Sequence, residues 1–350
     1  MNFASDNASG AAPEIMAAVQ AANAGFARSY GADAIMDEVR AEIRRIFEAP
    51  EAAVYLVATG TAANALSIAC LTAPWGAVFC HEHAHAQDDE CGAPEFYTGG
   101  SKLTLVPGAH GRMTPAALDQ ALKATAQGVV HGVQRGMVTI TNATEAGTVY
   151  RPSEVAALCA VARAHGVPVH MDGARFANAL VSAGCTPAEM TWKAGVEVLS
   201  FGGSKNGCLG VEAVVLFDPG RAWEFELRRK RGGHLLSKHR YLSAQMAAYL
   251  KDGLWLKLAA HANAMAVRLS AGMAALPGGA LVHPAEANAV FAAWPRAGHR
   301  RAQERGADYY LWPFDQSMDG PGDEPLSARL VCSWCTAEAD VEAFLGAARG

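Results

Sequence analysis

A chain of 350 residues, half of them hydrophobic and 18% charged, can bury one large core or two modest ones. Its net charge of −5 comes without long runs of either sign, and no basic stripe with interleaved aromatics marks a nucleic-acid surface. No apolar stretch approaches the ~18 residues that span a bilayer, and no secretory signal is visible. The sequence therefore reads as a cytoplasmic globular protein with a sizeable subunit interface.

In chain order, an apolar run over residues 53–58 predicts the first strand. Gly60-Thr61 punctuates it before a helical stretch over 62–72. Further buried strands are expected at 77–80, 103–106, 137–141, 167–171, 196–201 and 213–217. Helical patterns over 115–125, 153–165 and 175–183 fall between several of them. Short β-rich runs separated by helices predict an α/β fold, with a mostly parallel central sheet covered on both faces. Near Asp218-Pro219-Gly220 the rhythm changes, and helical patterns dominate residues 221–276. A smaller α+β segment follows, with strands at 289–294, 308–311 and 328–333 and a closing helix from Ala337. Residues 315–325, rich in Gly, Pro and acids, read as a loop. The simplest division is a large domain over residues 1–250 and a small C-terminal domain over 251–350.

The basic cluster Arg228 to Arg231 reads as a solvated helix face. Eight cysteines follow no framework spacing. Cys332-Ser-Trp-Cys335 has the form of a redox or zinc pair, but it lies on an apolar run that reads as a buried strand, which favours ordinary thiols.

Three features carry chemistry. Lys205 stands just past a buried strand in Phe201-Gly-Gly-Ser-Lys-Asn-Gly207, where glycines let a ligand approach closely. Burial and cationic neighbours lower a lysine's pKa, as reaction with an aldehyde requires. Asp172 ends the run Val167-Pro-Val-His-Met171, where a carboxylate needs a cationic partner; capping the helix that begins near Arg175 is its bland alternative. Arg175 itself could reach a ring oxygen or that carboxylate. Gly60 and Thr61, at a strand-to-helix turn, form a candidate phosphate cup. Phosphate cup, acid and lysine, each after a strand and in this order, point to pyridoxal phosphate (PLP): the acid keeps the pyridine nitrogen protonated and Lys205 anchors the aldehyde.

On these residues the chain resembles the threonine aldolases, PLP enzymes of the aspartate-aminotransferase fold (PLP-dependent transferase fold type I) within the beta-eliminating-lyase-like group. The resemblance is closest to the low-specificity L-threonine aldolases of bacteria. It runs through Phe3-Ala-Ser-Asp-Asn7, Gly60-Thr-Ala-Ala-Asn64, Asp89-Glu-Cys-Gly-Ala-Pro-Glu95, Gly147-Thr-Val-Tyr-Arg-Pro152, His170-Met-Asp-Gly-Ala-Arg175, Thr191-Trp-Lys-Ala-Gly195 and the Lys205 segment. It implies retro-aldol cleavage of L-threonine, L-allo-threonine or related L-β-hydroxy-α-amino acids to glycine and an aldehyde.

The resemblance also assigns roles. Arg329, leading into the last strand, matches the arginine that holds the substrate carboxylate, with Ser5 assisting. His85 matches a histidine that stacks on the cofactor ring, and its pKa suits stacking or proton transfer. Weaker assignments are Tyr30 on the substrate side, Glu90 as a residue that orients water or His85, and Glu145 on the substrate hydroxyl, where relatives often carry a histidine nearby and this chain departs from the pattern. Lys238 is expected either to reach the phosphate of a neighbouring subunit or to be a solvated helix lysine, because this fold builds its site at a subunit interface in a homodimer or homotetramer. On a strand, His81, His83 and His85 would face one side. That spacing invites a zinc reading, although the family needs no metal. Other readings that remain are a β-eliminating lyase or aminotransferase on the same scaffold and a catalytically silent PLP-fold binding protein.

Overall fold

The computed structural model describes residues 1–350. Seven strands make the main sheet: β1 (Ala53–Val57), β2 (Gly76–His81), β3 (Lys102–Val106), β4 (Gln134–Thr141), β5 (Val169–Gly173), β6 (Val198–Gly202) and β7 (Glu212–Leu216), in the order β1-β7-β6-β5-β4-β2-β3. Only β7 runs antiparallel to its neighbours, so the other six strands end on one edge. β5, β6 and β7 are buried along their whole lengths, as strands covered on both faces must be.

A second sheet, antiparallel throughout, has the order β10 (Tyr310–Leu311), β11 (Pro325–Val331), β9 (Ala289–Pro295), β8 (Ala280–Leu281). The 21-residue helix Leu254–Ala274 packs against the helix Phe176–Ala183 and against β9, joining the two sheets' layers. The helix Gly60–Leu71 is buried at every position from Ala62 to Leu71, which its near-uniform apolar sequence allows. No helix is long and apolar enough to cross a membrane.

Several local expectations change. The Arg228 to Arg231 cluster is not wholly solvated. Arg229 is buried, donates to the Leu56 carbonyl, pairs with Glu226 at 3.0 Å and lies over the Tyr55 ring. The strand expected at 308–311 shortens to Tyr310–Leu311. The last strand starts at Pro325, so Arg329 lies inside β11 and does not lead into it. Cys332 is buried just beyond that strand while Cys335 is exposed, and all eight thiols are free.

Candidate active site

The site is assembled where β5 and β6 end side by side, with Asp172 opposite Ser200 and Gly173 opposite Phe201. After β6 the chain turns through Gly203 into a short 3-10 segment, Ser204–Asn206, that carries Lys205. Gly202 permits this approach: a Cβ there would lie 2.2 Å from the Ala174 carbonyl oxygen. Burial, then the nearby Arg175 charge, holds the Lys205 amine below its ordinary pKa. No hydrogen bond or ion pair within the chain engages that amine.

Asp172 is buried and accepts from the Ala174 amide at 3.0 Å and from Asn64 Nδ2 at 2.9 Å. It does not cap the next helix; Arg175 occupies the N-cap position of Phe176–Ala183. Burial alone would favour the neutral acid. His85, the Ala174 amide and Lys205 outweigh it and hold the carboxyl below its usual range. Asn64 also donates to Glu90 Oε1 at 2.8 Å, and His85 Nδ1 lies 2.9 Å from that same oxygen. The hydrogen bond to Glu90 raises the His85 pKa, while burial raises that of Glu90. Glu145 accepts the backbone amide of His85 at 3.0 Å, and burial, then Asp172, pushes its carboxyl up to about 7. Asn64, Glu90 and Glu145 thus fix the backbone and one ring nitrogen of His85, leaving Nε2 without a partner.

The three alternating histidines do not share a strand. His81 ends β2 and holds the Gly108 carbonyl at 2.9 Å, His83 sits in an exposed turn, and His85 begins the short helix His85–Asp88. The His81 and His83 rings lie 5.9 Å apart, but His85 is engaged by Glu90, so the three do not form one set as an alternating strand would require.

Arg175 is turned to a partner that the sequence did not single out. Its guanidinium grips Asp6 through Nε at 2.7 Å and Nη2 at 2.9 Å, and Asn288 donates to the same carboxylate at 3.0 Å. Burial opposes ionisation of Asp6, but Arg175 lowers its pKa regardless. This pair draws the N-terminal segment over the strand ends. Ser5 sits beside it, its hydroxyl accepting the Asn7 amide. Arg329 donates from Nη2 to the Ala4 carbonyl at 3.2 Å, while its buried Nε has no partner.

At the start of the helix Gly60–Leu71, Thr59 caps the Ala62 amide and its carbonyl accepts from Ala63. The amides of Gly60 and Thr61 and the Thr61 hydroxyl have no partner within the chain, leaving a set of donors suited to an anion. Tyr30 and Lys238 lie elsewhere. Tyr30 is half-exposed in a left-handed conformation, its amide on the Ser237 carbonyl and its ring under Lys230. Lys238 is exposed in the turn before the helix Arg240–Leu250, not on a helix.

Asp6 and Asn64 lay within the segments singled out by sequence but received no role there. Asn64 carried a usable signal, since an amide in the second turn of a mostly apolar, buried helix has to find polar partners. Asp6 carried none, because its partners come from distant parts of the chain.

Comparison with known proteins adds the lineage. The chain is 44% identical over 340 residues to a low specificity L-threonine aldolase of Pseudomonas, covering 97% of this chain and 94% of that one. It is 43% identical to the protein of the same description from Pseudomonas aeruginosa, covering 95% and 93%. A threonine aldolase structure from Leishmania major superposes with a TM-score of 0.90 at 28% identity, over 99% of this chain and 98% of that one. The fold is that of the fold type I PLP enzymes. The profile of the beta-eliminating lyase family matches residues 2–295, and the chain belongs to that family.

Proposed function

We propose that this chain is a PLP-dependent L-threonine aldolase of broad specificity. It would cleave L-threonine, L-allo-threonine or phenylserine between Cα and Cβ to glycine and an aldehyde. The observation that carries the reading is the unengaged Lys205 amine, held at lowered pKa one strand over from the buried, ionised Asp172. These groups fit the cofactor: the amine would meet its aldehyde, Asp172 would keep its ring nitrogen protonated, and the free donors of Gly60 and Thr61 would take its phosphate. When bound, PLP supplies the electron sink that accepts the pair left at Cα as the bond breaks.

Arg329 would bind the substrate carboxylate through its unpaired Nε, with Ser5 alongside, and so fix the rotation of the substrate about its Cα. Because Nδ1 of His85 faces Glu90, Nε2 is the nitrogen that receives the β-hydroxyl proton. Arg175 acts here through Asp6, holding the N-terminal segment and the Lys205 loop together.

The working unit is a homo-oligomer, a dimer or tetramer, whose large part spans residues 1–250 and whose small part spans 251–350. Tyr30 and Lys238 then serve a neighbouring subunit's site. Support comes from the exposed apolar side chains around them, Phe26, Tyr30 and Leu236, and from the bond of the Tyr30 amide to the Ser237 carbonyl, which sets Tyr30 beside Lys238. Mixing Lys238→Ala subunits with Lys205→Ala subunits regenerates activity if sites are shared; two inactive halves that stay inactive contradict the sharing.

The central test is purified protein with PLP and each of the three substrates, without added metal or keto acid. Equal amounts of glycine and aldehyde are expected. Ammonia with a keto acid, or amino transfer, as the main outcome overturns the assignment.

A further inference from the structure

Arg329 stands on β11 directly opposite Tyr310 of β10 and Phe291 of β9. Its guanidinium carbon lies 5.6 Å from the Tyr310 ring centre and 5.4 Å from that of Trp312, two residues further along. Residues two apart on an extended chain share a face, so both rings flank the same cation. No carboxylate pairs with Arg329, although Asp6 and Asp89 are near enough to feel its charge. It uses one of the five N–H donors that a guanidinium carries.

Trp312 is anchored through its backbone and packed through its ring. Its backbone amide donates to the Ser327 carbonyl at 2.9 Å and its carbonyl accepts the Ser327 hydroxyl at 2.6 Å. The ring packs edge-on against Phe291 at 6.4 Å and Phe314 at 4.6 Å.

We infer that Trp312, with Tyr310 beside it, is the positioning residue that aims Arg329 at the substrate carboxylate. The inference rests on the carboxylate role proposed above for Arg329. An acidic partner would also order the guanidinium, but it would occupy the N–H edge and compete with the substrate. An aromatic face attracts the cation through its quadrupole and leaves that edge open. Ordering the side chain beforehand lowers the entropy lost when the amino acid binds. The buried, unpaired Nε of Arg329 is the donor this arrangement keeps available.

The test uses the PLP-loaded enzyme and its Trp312→Leu and Trp312→Phe variants. Glycine binding is followed by the change in cofactor absorbance, and hydroxylamine, which reacts with the bound cofactor but has no carboxylate, is the control. In Trp312→Leu the glycine dissociation constant and the KM for L-threonine should rise roughly tenfold, with kcat changed much less. Trp312→Phe, which keeps a ring face, should recover most of the loss, and hydroxylamine should react at the wild-type rate in both. Wild-type glycine binding by Trp312→Leu overturns the inference. So does an equal loss of glycine and hydroxylamine reactivity, which would mark Trp312 as a packing residue only. Arg329→Ala separates the two levels: if it binds glycine as the wild type does, the carboxylate role of Arg329 fails; if it loses glycine while Trp312→Leu does not, only the role of Trp312 fails.

Discussion

Asp6 and Arg175 meet across 169 positions of chain in a two-pronged ion pair, with the carboxylate wholly buried and Asn288 as its third donor. Removing one member of such a pair leaves the other charge uncompensated in a low-dielectric site, which is far more damaging than never having buried the pair. The relationship therefore bears on stability as much as on the site it borders.

Asp6→Asn should destabilise the fold by about 3–5 kcal/mol, measured by equilibrium denaturation in urea. Because Asp6 is depressed in the folded state, its contribution is present above the unfolded carboxyl value of about 3.9 and is lost as pH falls through the folded value. The gap between variant and wild type should thus shrink in acid. A gap that is constant with pH would show that Asp6 acts by packing alone.

Lys205→Ala should lose the visible cofactor band and nearly all turnover. Borohydride reduction of the wild-type holoenzyme should attach the cofactor to the peptide containing Lys205, as found by mass spectrometry. Attachment to any other peptide removes Lys205 from its assigned place.

Asp172→Asn should still bind PLP but turn over about 10²–10³-fold more slowly, the usual loss for a preorganised electrostatic contact. Asn64 would then face an amide in place of a carboxylate, so a modest weakening of cofactor affinity is also expected. Near-normal turnover would mean that another group keeps the pyridine nitrogen protonated.

Glu90→Gln should move the acidic limb of the kcat/KM pH profile downward. The bond to Glu90 raises the His85 pKa, so in the wild type the neutral, proton-accepting form exists only above that raised value. An amide supports the imidazolium less well, the pKa falls, and neutral His85 persists to lower pH. An unmoved limb would show that some other group sets the profile.

The sequence exposed those parts of the site that ride on local patterns. Lys205 and Asp172 were legible because each follows an apolar strand, and strand ends in a parallel sheet converge on ligands. Gly60 and Thr61 were legible because a glycine-threonine turn opens a helix. Trp312 and Asp6 were not: each depends on which distant segment folds over it, and no periodicity encodes that. The reversed direction of β7 left a fainter trace. Nine residues link it to β6, fewer than the dozen or so a parallel crossover requires, so the loop length alone argued for an antiparallel return. β4 begins at Gln134, earlier than its apolar run, because pairing of Gln134 and Arg135 with Gly76 and Ala77 extends the ladder through polar residues.

The threading of residues 2–6 has a consequence for how the chain comes together. Phe3 donates to the carbonyl of Asp308 and its own carbonyl accepts from Val331; Ala4 receives Arg329; Asp6 receives Asn288. Residues 3 and 4 thus find their partners more than 300 positions further along the chain, at Asp308, Arg329 and Val331. A contact spanning nearly the whole chain carries a heavy loop-closure penalty, so this seam should zip late, after both sheets have formed. Until residues 288–331 have folded, Asp6 lacks its Asn288 donor and Phe3 its Asp308 and Val331 partners, so Lys205 and Asp172 can stand on finished strands before the strap that ties them to Arg329 is fastened.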